Sequence, residues 1–225
     1  MIRFFDILFS AIAIIVCFPF MIPIMICLKL TGEHYIFYIQ QRVGKGGKEF
    51  KVLKFATMLI DSPNLPGGVL TQKNDPRILP MGNFLRKTKI NELPQLINIF
   101  LGQMSVIGPR PQAKQHYELY SFEVKKAIDS VLPGLSGIGS IIFRDEEKIL
   151  DRVREDKDQF HDKVIASYKG ELELWYSCNL CILNYFLLIF CTVVILIRPS
   201  STVYIKLFKN LPEMPMEIKR YLFHG

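Results

Sequence analysis

The chain has 225 residues, of which 50% are hydrophobic and 22% are charged, and its 28 Lys and Arg outnumber its 21 Asp and Glu, for a net charge of +7. This length predicts one domain, or one domain with an appendage, and the composition excludes a disordered protein, a collagen-like repeat and a polytopic transporter. The mean hydropathy of +0.23 is high for a soluble domain, and the apolar residues concentrate in two uncharged runs, Ile7–Leu28 and Cys178–Ile197. We therefore expect a membrane-attached globular domain with a basic surface.

The first apolar run, Ile7–Leu28, is long enough as a helix to cross a bilayer, and Lys29 closes it. Pro19 and Pro23 lie just past its middle. Each removes a backbone donor and crowds the carbonyl four residues earlier, so we expect a sharp bend, with Phe18 displaced from helical geometry. A bent segment could enter and leave the membrane on one face. A single kinked span is the alternative, and the flanking charges do not separate the two.

The region between the apolar runs predicts a compact domain. Tyr35–Arg42 and Lys48–Phe55 have strand patterns around a glycine-rich turn, which indicates a hairpin. Residues 61–80 are rich in Pro, Gly, Asn and Asp and predict a loop. A short helix is expected over Glu92–Leu101, with Asn91 as its N-cap. Two further helical stretches are predicted over 112–131 and 144–170.

The second apolar run, Cys178–Ile197, is interrupted by Asn179 and Asn184. A helix buried against the first segment, or lying at the interface, is favoured over a second membrane span. The tail 202–225 mixes aromatic and basic residues, which suits a position at the level of the lipid headgroups, although an ordinary surface helix has a similar composition.

Two residues of the middle region are candidates for phosphate chemistry. Arg110 lies between Pro109 and Pro111, which fix the backbone and present the guanidinium for bidentate phosphate recognition. Glu92 lies at a predicted helix start, where an ionised carboxylate is stabilised and can bind Mg²⁺ or attack phosphorus. The alternatives are a rigid turn with an incidental Arg, and a charge that only stabilises its helix. Cations are dense between residues 42 and 54 and between 73 and 89, which suits either anionic lipid or substrate phosphates.

The run Arg86–Leu96 (RKTKINELPQL), followed by Met104–Pro111 (MSVIGPRP), resembles the bacterial sugar transferases, the monotopic phosphoglycosyl transferases. The resemblance extends from Arg3 to about residue 198. It includes four further blocks in order, namely Gln41–Gly44, Lys54–Met58, Asp75–Arg77 and Pro133–Gly137.

This resemblance implies transfer of a phosphosugar from a nucleotide diphosphate sugar, with a UDP-sugar as the family-level expectation, to polyprenyl (undecaprenyl) phosphate. That reaction is the first membrane step of O-antigen, capsule or exopolysaccharide synthesis. The implied location is the cytoplasmic face of the bacterial inner membrane, and the implied partners are both substrates and membrane lipid. No nucleic acid is expected, and a homodimer is compatible with the sequence.

The expected fold is mainly α with a small β-hairpin, in the α+β class. Residues 1–33 would form a re-entrant membrane helix broken at a proline, a role that Pro19 would fill. Residues 34–175 would form the cytosolic catalytic domain. Residues 176–225 would form an apolar helix and an interfacial tail, with amphipathic helices packed on the membrane surface.

The resemblance also implies an Asp-Glu catalytic pair with Mg²⁺, whose Asp attacks the sugar-proximal phosphorus, but here the pair is Asn91-Glu92. A carboxamide is neutral and a poor nucleophile. Glu92 could attack or act as a base, another carboxylate such as Asp75 could enter the site, or the chain could be a silent relative that only binds lipid phosphate or nucleotide sugar. Glu92 remains the expected Mg²⁺ ligand. The expected phosphate contacts are Arg42, Lys54, Arg86 and Arg110, and Arg144 is expected at the nucleotide.

Overall fold

The computed structural model describes residues 1–65, 75–153 and 156–223. Within them the chain is mostly helical, with two two-stranded sheets, which confirms the predicted mainly-α composition with a small hairpin. The elements in chain order are α1 (Ile2–Leu30), β1 (Phe37–Val43), β2 (Glu49–Phe55), α2 (Gly82–Lys87), α3 (Gln95–Phe100), β3 (Ser105–Ile107), α4 (Lys114–Glu118), α5 (Phe122–Ser130), β4 (Gly134–Ser136), α6 (Ile138–Ile142), α7 (Glu146–Arg152), α8 (Lys157–Phe160), α9 (Ala166–Cys178), α10 (Ile182–Ile197), α11 (Val203–Leu207) and α12 (Met216–Phe223).

Helix α1 is 29 residues long and apolar enough to cross a membrane by length and composition. Helical structure continues through Phe18, Pro19 and Pro23, so the expected departure of Phe18 from helical geometry is wrong. A helix satisfies its backbone groups internally, which is the favoured arrangement in an apolar surrounding, and the composition of α1 suits such a surrounding. Most of the helix surface is uncovered by the protein, and Ile15 and Phe20 are 73% and 72% exposed.

The first turn of α1 is fixed to the domain by Arg3. Its guanidinium donates to the carbonyls of Ile99, at 2.6 Å, and Phe100, at 2.8 Å, at the C-terminal end of α3. The Ile99 carbonyl also accepts from the Gly102 N–H at 3.0 Å, and a cation at the C-terminal end of a helix complements the helix dipole. Arg3 therefore caps α3 from the membrane helix.

Asp6, one turn later, is 1% exposed and joins three elements. Its Oδ1 accepts from the Ser105 hydroxyl and the Val106 N–H of β3, both at 2.8 Å, and from the Tyr185 hydroxyl of α10 at 2.9 Å. A buried carboxylate oxygen is tolerated only with such donors. Helix α1, strand β3 and the second apolar helix, α10, thus meet at one atom.

The predicted hairpin is confirmed. Strands β1 and β2 pair antiparallel with Phe37 opposite Phe55, and their rings stack with centroids 5.6 Å apart. The connecting turn needs glycine, because Gly46 and Gly47 have φ angles of +72° and +67°. Of the predicted loop 61–80, residues 66–74 lie outside the described residues.

The helix predicted over Glu92–Leu101 begins later, at Gln95. A 3₁₀ turn, Ile90–Glu92, precedes it and contains Asn91, so Asn91 is not an N-cap. The reason is Lys89, whose φ of +61° turns the chain immediately before Asn91 and prevents the extended N-cap geometry.

The two longer helical predictions are each interrupted. The 112–131 stretch forms α4 and α5, separated at Ser121, whose hydroxyl accepts from the Val124 N–H and caps α5. The 144–170 stretch forms α7, α8, a π-helical turn at His161–Ile165 and α9, which continues to Cys178.

The parallel pair of β3 and β4 was not predicted, and it brings two glycine-containing motifs together. Ser105 pairs with Gly134 and Ile107 with Ser136. The strands approach so closely at Gly108 that a Cβ on Gly134 would lie 2.1 Å from the Gly108 nitrogen. Glycine is therefore required where the chain leaves β3 toward Arg110.

Helix α10 buries one face, through Tyr185, Leu188, Cys191 and Ile195, and exposes the other. The rings of Phe186 and of Phe5 in α1 pack edge to face with centroids 5.0 Å apart, so the two apolar helices pack together. With 16 residues, α10 is shorter than α1.

We expect Asp6→Ala to destabilise the fold by about 2–3 kcal/mol, because three buried donors lose their acceptor. Thermal unfolding in detergent measures the change. Asp151→Asn, at an exposed site paired with Lys157, is the matched control. Equal melting temperatures for the two variants would contradict the role of Asp6.

Candidate functional site

The hairpin presents two cations on one face. Directly opposed residues of an antiparallel pair share a face, and the pairs Tyr38–Lys54 and Arg42–Phe50 are four residues apart along β1. Lys54 and Arg42 therefore point to the same side. The Lys54 Nζ donates to Gln40 Oε1 on that face at 3.3 Å.

Glu92 and Arg110 form the centre of the site. The Arg110 Nη2 lies 2.7 Å from Glu92 Oε1, and the side chains are 39% and 13% exposed. Glu92 ends the 3₁₀ turn before α3, whereas Arg110 follows β3. The Arg110 loop is held to β4 by hydrogen bonds from Gly108 N to Ser136 O (2.9 Å) and from Gly134 N to Pro109 O (2.8 Å).

The charges of the site act on one another strongly. Burial opposes ionisation of Glu92, but Arg110 and Lys54 outweigh it and lower the pKa of Glu92 to about 2. Burial lowers the pKa of Lys54 to about 7; the attraction of Glu92 opposes this shift, and repulsion from Arg110, Arg42 and Arg86 adds to it. The site therefore holds an ionised carboxylate at neutral pH, together with a lysine close to its titration midpoint.

Arg42 and Arg86 complete the cationic wall. Burial, followed by repulsion from Arg110, lowers the pKa of Arg42 to about 10, so Arg42 stays charged at neutral pH. Arg86, in the last turn of α2, donates to the Met58 sulfur at 3.4 Å and repels Lys54. The structure thus brings Arg42, Lys54 and Arg110 close to Glu92, and Arg86 close to Lys54.

Asn91 is 8% exposed, and its Oδ1 has no hydrogen-bond partner among the described residues. A buried carbonyl oxygen without a donor is costly, and this one adjoins the Glu92 carboxylate in sequence. Mg²⁺ prefers oxygen ligands and usually combines one or two protein oxygens with substrate phosphates and water. These two side chains fit such a site. No group of three or more His, Cys, Asp or Glu that could hold a metal occurs in the described parts of the chain.

Two of the predicted residues have other partners. Arg144 donates to the Ile195 carbonyl at the end of α10, so its expected nucleotide contact stays a prediction. Asp75 is engaged by Arg77 on both oxygens, at 2.8 Å and 2.6 Å, and both side chains are almost fully buried. This pairing argues against Asp75 as a carboxylate that replaces the missing one. Of the cations between 73 and 89, Lys73 lies outside the described residues.

A shallow groove borders the site. Two of its lining residues connect it to the cations: Tyr38 lies opposite Lys54 in the hairpin, and the sulfur of Met58 accepts from Arg86. Other lining residues follow the end of α1 in the chain. Its remaining walls are Glu33, Tyr35, Phe37, Ala56, Ile60 and Leu79. The groove is largely apolar and aromatic.

The sequence analysis missed Glu173 of α9, a buried carboxyl 3% exposed whose Oε2 has no partner among the described residues. In the sequence it resembled an acidic flank of the second apolar run. The signal in the sequence that could have indicated its burial was helical spacing. Glu173 lies on the same face of α9 as Ala166 and Gly170, which are both buried.

The model of the family described as bacterial sugar transferase matches residues 1–199. The exopolysaccharide production protein ExoY of Rhizobium meliloti (strain 1021) is 36% identical over 165 residues, which cover 67% of this chain and 73% of the relative. The UDP-glucose:undecaprenyl-phosphate glucose-1-phosphate transferase of Escherichia coli (strain K12) is 33% identical over 186 residues, 80% of this chain and 38% of the relative. The UDP-N-acetylgalactosamine-undecaprenyl-phosphate N-acetylgalactosaminephosphotransferase of Aeromonas hydrophila is 34% identical over 142 residues, 62% of this chain and 33% of the relative.

Replacing Glu92 should change the titration of Lys54. Glu92→Gln removes the carboxylate that raises the pKa of Lys54, so this pKa should fall below its value of about 7. The NMR titration of the lysine ε-CH₂ signals, with Lys54 assigned by a Lys54→Arg variant, measures the change. Glu49→Gln, at an exposed residue at the far end of β2, should leave the titration unaltered. A Lys54 pKa that rises in Glu92→Gln would contradict the described electrostatics.

Proposed function

Since the chain belongs to the bacterial sugar transferase family, we propose that it transfers a phosphosugar from a UDP-sugar to undecaprenyl phosphate. The products are undecaprenyl-diphosphate sugar and UMP, and the step serves synthesis of an exopolysaccharide, O-antigen or capsule. The names of the Escherichia coli and Aeromonas hydrophila relatives contain this lipid phosphate and a UDP-sugar.

The observation that carries the proposal is the cluster of Arg42, Lys54 and Arg86 beside the Glu92–Arg110 pair. A nucleotide diphosphate and a lipid phosphate repel each other, and bringing them together requires concentrated positive charge. Arg110 and Arg42 offer planar guanidinium groups that match phosphate oxygens, whereas Lys54 offers a point charge.

Magnesium is the proposed metal, held by Glu92 and the Asn91 Oδ1 together with phosphate oxygens. When bound, it offsets phosphate charge and polarises the phosphoryl group. Asn91 is therefore proposed as an orienting ligand and not as a nucleophile.

The proposed reaction is a direct transfer. A lipid phosphate oxygen forms a bond to the sugar-proximal phosphorus as the bond from that phosphorus to the UMP oxygen breaks, so UMP leaves with the bonding electrons. The attacking phosphate is mostly ionised at neutral pH and needs no general base. Glu92, with its pKa of about 2, would be a poor base, so its proposed role is to orient Arg110 and hold the metal.

The proposed setting is the cytoplasmic face of the inner membrane. In this arrangement α1 is a re-entrant anchor that bends at Pro19, and α10 and the C-terminal tail lie at the interface. Arg144 would contact the nucleotide only after releasing the Ile195 carbonyl.

A catalytically silent relative, which binds lipid phosphate or nucleotide sugar without turnover, is the second candidate. The observation that favours it is Asn91, because the family's covalent route needs a carboxylate at this position. Both candidates bind the lipid phosphate or the nucleotide sugar, but only the transferase releases UMP.

The experiment is a UMP-release assay over a panel of UDP-sugars, with undecaprenyl phosphate and Mg²⁺ each present or omitted. We expect release only when all components are present, and a loss of at least about 100-fold in Glu92→Gln, as for removal of a group that stabilises the transition state. Glu171→Gln, an exposed carboxylate of α9, should retain the rate of the unmodified chain.

Asn91→Asp separates the two candidates. A silent unmodified chain whose Asn91→Asp variant releases UMP would establish the second candidate. Absence of release from both folded proteins over the whole panel would count against the transferase.

A further inference from the structure

A cluster of charged side chains lies where α7, the π-helical turn and α9 meet. His161, the first residue of that turn, is 5% exposed. Its Nδ1 lies 2.8 Å from Asp162 Oδ1, and its Nε2 lies 3.4 Å from Glu146 Oε1. Lys169 of α9 holds the other oxygen of Glu146, with 2.6 Å between Nζ and Oε2. These four residues lie outside the set proposed to bind phosphate and metal.

The contacts of His161 define its protonation state. A neutral imidazole has one N–H donor and one acceptor nitrogen, whereas an imidazolium has two donors. Both ring nitrogens here face carboxylate oxygens, which only accept hydrogen bonds. A neutral ring would direct a nitrogen lone pair at a carboxylate, so the geometry requires the protonated ring.

The π-helical turn allows this arrangement. His161 and Lys169 are eight residues apart, and in a regular α-helix such residues point about 80° away from each other. A π-helical turn contains more residues per turn, so it reduces this angle. Both side chains can then reach the carboxylate of Glu146, one at each oxygen.

The C-terminal helix packs on the same junction. The ring of Tyr221 in α12 packs edge to face on Phe160, the residue before His161, with centroids 5.8 Å apart. The carbonyl of Tyr221 accepts from Arg152 Nη1 at the end of α7, at 3.0 Å. Helix α12 therefore contacts both of the elements that the His161–Glu146 pair joins.

We propose that His161 is a protonation switch, which holds α7 against α9 and α12 while its ring is charged and releases α7 when the proton is lost. Loss of the proton removes one of the two cationic partners of Glu146 and leaves its Oε1 beside a neutral ring. Lys169 then holds the carboxylate by the other oxygen alone. The switch lies outside the proposed phosphate site and does not depend on the proposed function.

The surrounding charges set the pH at which the switch operates. The groups that face His161 in the described part of the chain are Asp162 from its own turn, Glu146 from α7, Lys169 from α9 and His116 from α4, whose ring centroid is 4.9 Å away. Burial lowers the pKa of His161, but the hydrogen bonds to Glu146 and Asp162 outweigh burial and raise this pKa above its ordinary value. Burial, followed by repulsion from His161, lowers the pKa of His116, so His161 carries the charge of the pair. A raised pKa in the folded state stabilises the fold below the ordinary value of about 6.5, and this contribution is lost as the pH rises through the raised pKa.

The test follows the histidine ring ¹⁵N signals of the full chain in detergent as a function of pH, with His161 assigned by a His161→Gln variant. We expect the midpoint of His161 to lie above its ordinary value. Glu146→Gln should lower that midpoint by about one pH unit, a tenfold loss of proton affinity, because it removes an opposite charge. Asp162→Asn, at a half-exposed partner, should shift the midpoint in the same direction and provides the test if Glu146→Gln does not fold. Glu171→Gln, at an exposed residue of α9, is the matched control and should leave the midpoint unchanged.

Amide hydrogen exchange of α7 tests the release itself. As the pH rises through the midpoint of His161, the amides of α7 should lose about tenfold protection after correction for the intrinsic rate. In His161→Gln the protection should be low at every pH and show no such step, whereas His34→Gln, at an exposed histidine, should behave as the unmodified chain. The proposal is overturned if His161 titrates at or below its ordinary value, or if α7 keeps its protection when His161 loses its proton. None of these measurements requires turnover, so absence of UMP release would count against the transferase alone.

Discussion

The Asp6 carboxylate is the contact on which the arrangement of the molecule depends. One oxygen accepts from Ser105 and Val106 of β3 and from Tyr185 of α10. Only three residues separate Val106 from Arg110, so the position of the Arg110 guanidinium is set relative to α1. An enzyme whose lipid substrate stays in the bilayer needs its phosphate-binding group at a fixed distance from the apolar helix. A rigid, buried set of hydrogen bonds provides this.

The cationic cluster is the other organising constraint, because its charges repel one another. Within the described site, Glu92 is the acidic partner of Arg110, and burial, together with repulsion from three arginines, lowers the pKa of Lys54 to about 7. A bound diphosphate would relieve this repulsion. The free energy that the fold gives up to assemble the cluster is therefore recovered on binding, which is how a preorganised electrostatic site gains affinity.

The sequence predicted those features that depend on local patterns. The hairpin followed from alternation and a glycine turn, and the clustering of Arg42, Lys54, Arg86, Glu92 and Arg110 followed from the family resemblance. The β3–β4 pair could not be predicted, because three-residue parallel strands about thirty residues apart form only through tertiary packing. The hydrogen bond from Arg144 to the Ile195 carbonyl could not be predicted for the same reason, since it joins groups distant in sequence.

The glycines of the two motifs around β3 and β4 have a common physical cause. Cβ atoms on Gly108, Gly134 and Gly137 would each lie 2.4 Å or less from backbone atoms of the opposing segment. The two segments therefore exclude side chains from their crossing and hold each other by main-chain hydrogen bonds. Ser136 extends this support to α10, where it bonds Thr192 at 2.8 Å. Two sequence blocks that look like separate signatures therefore form one structural support, which holds the Arg110 loop between the apolar helices and the cationic site.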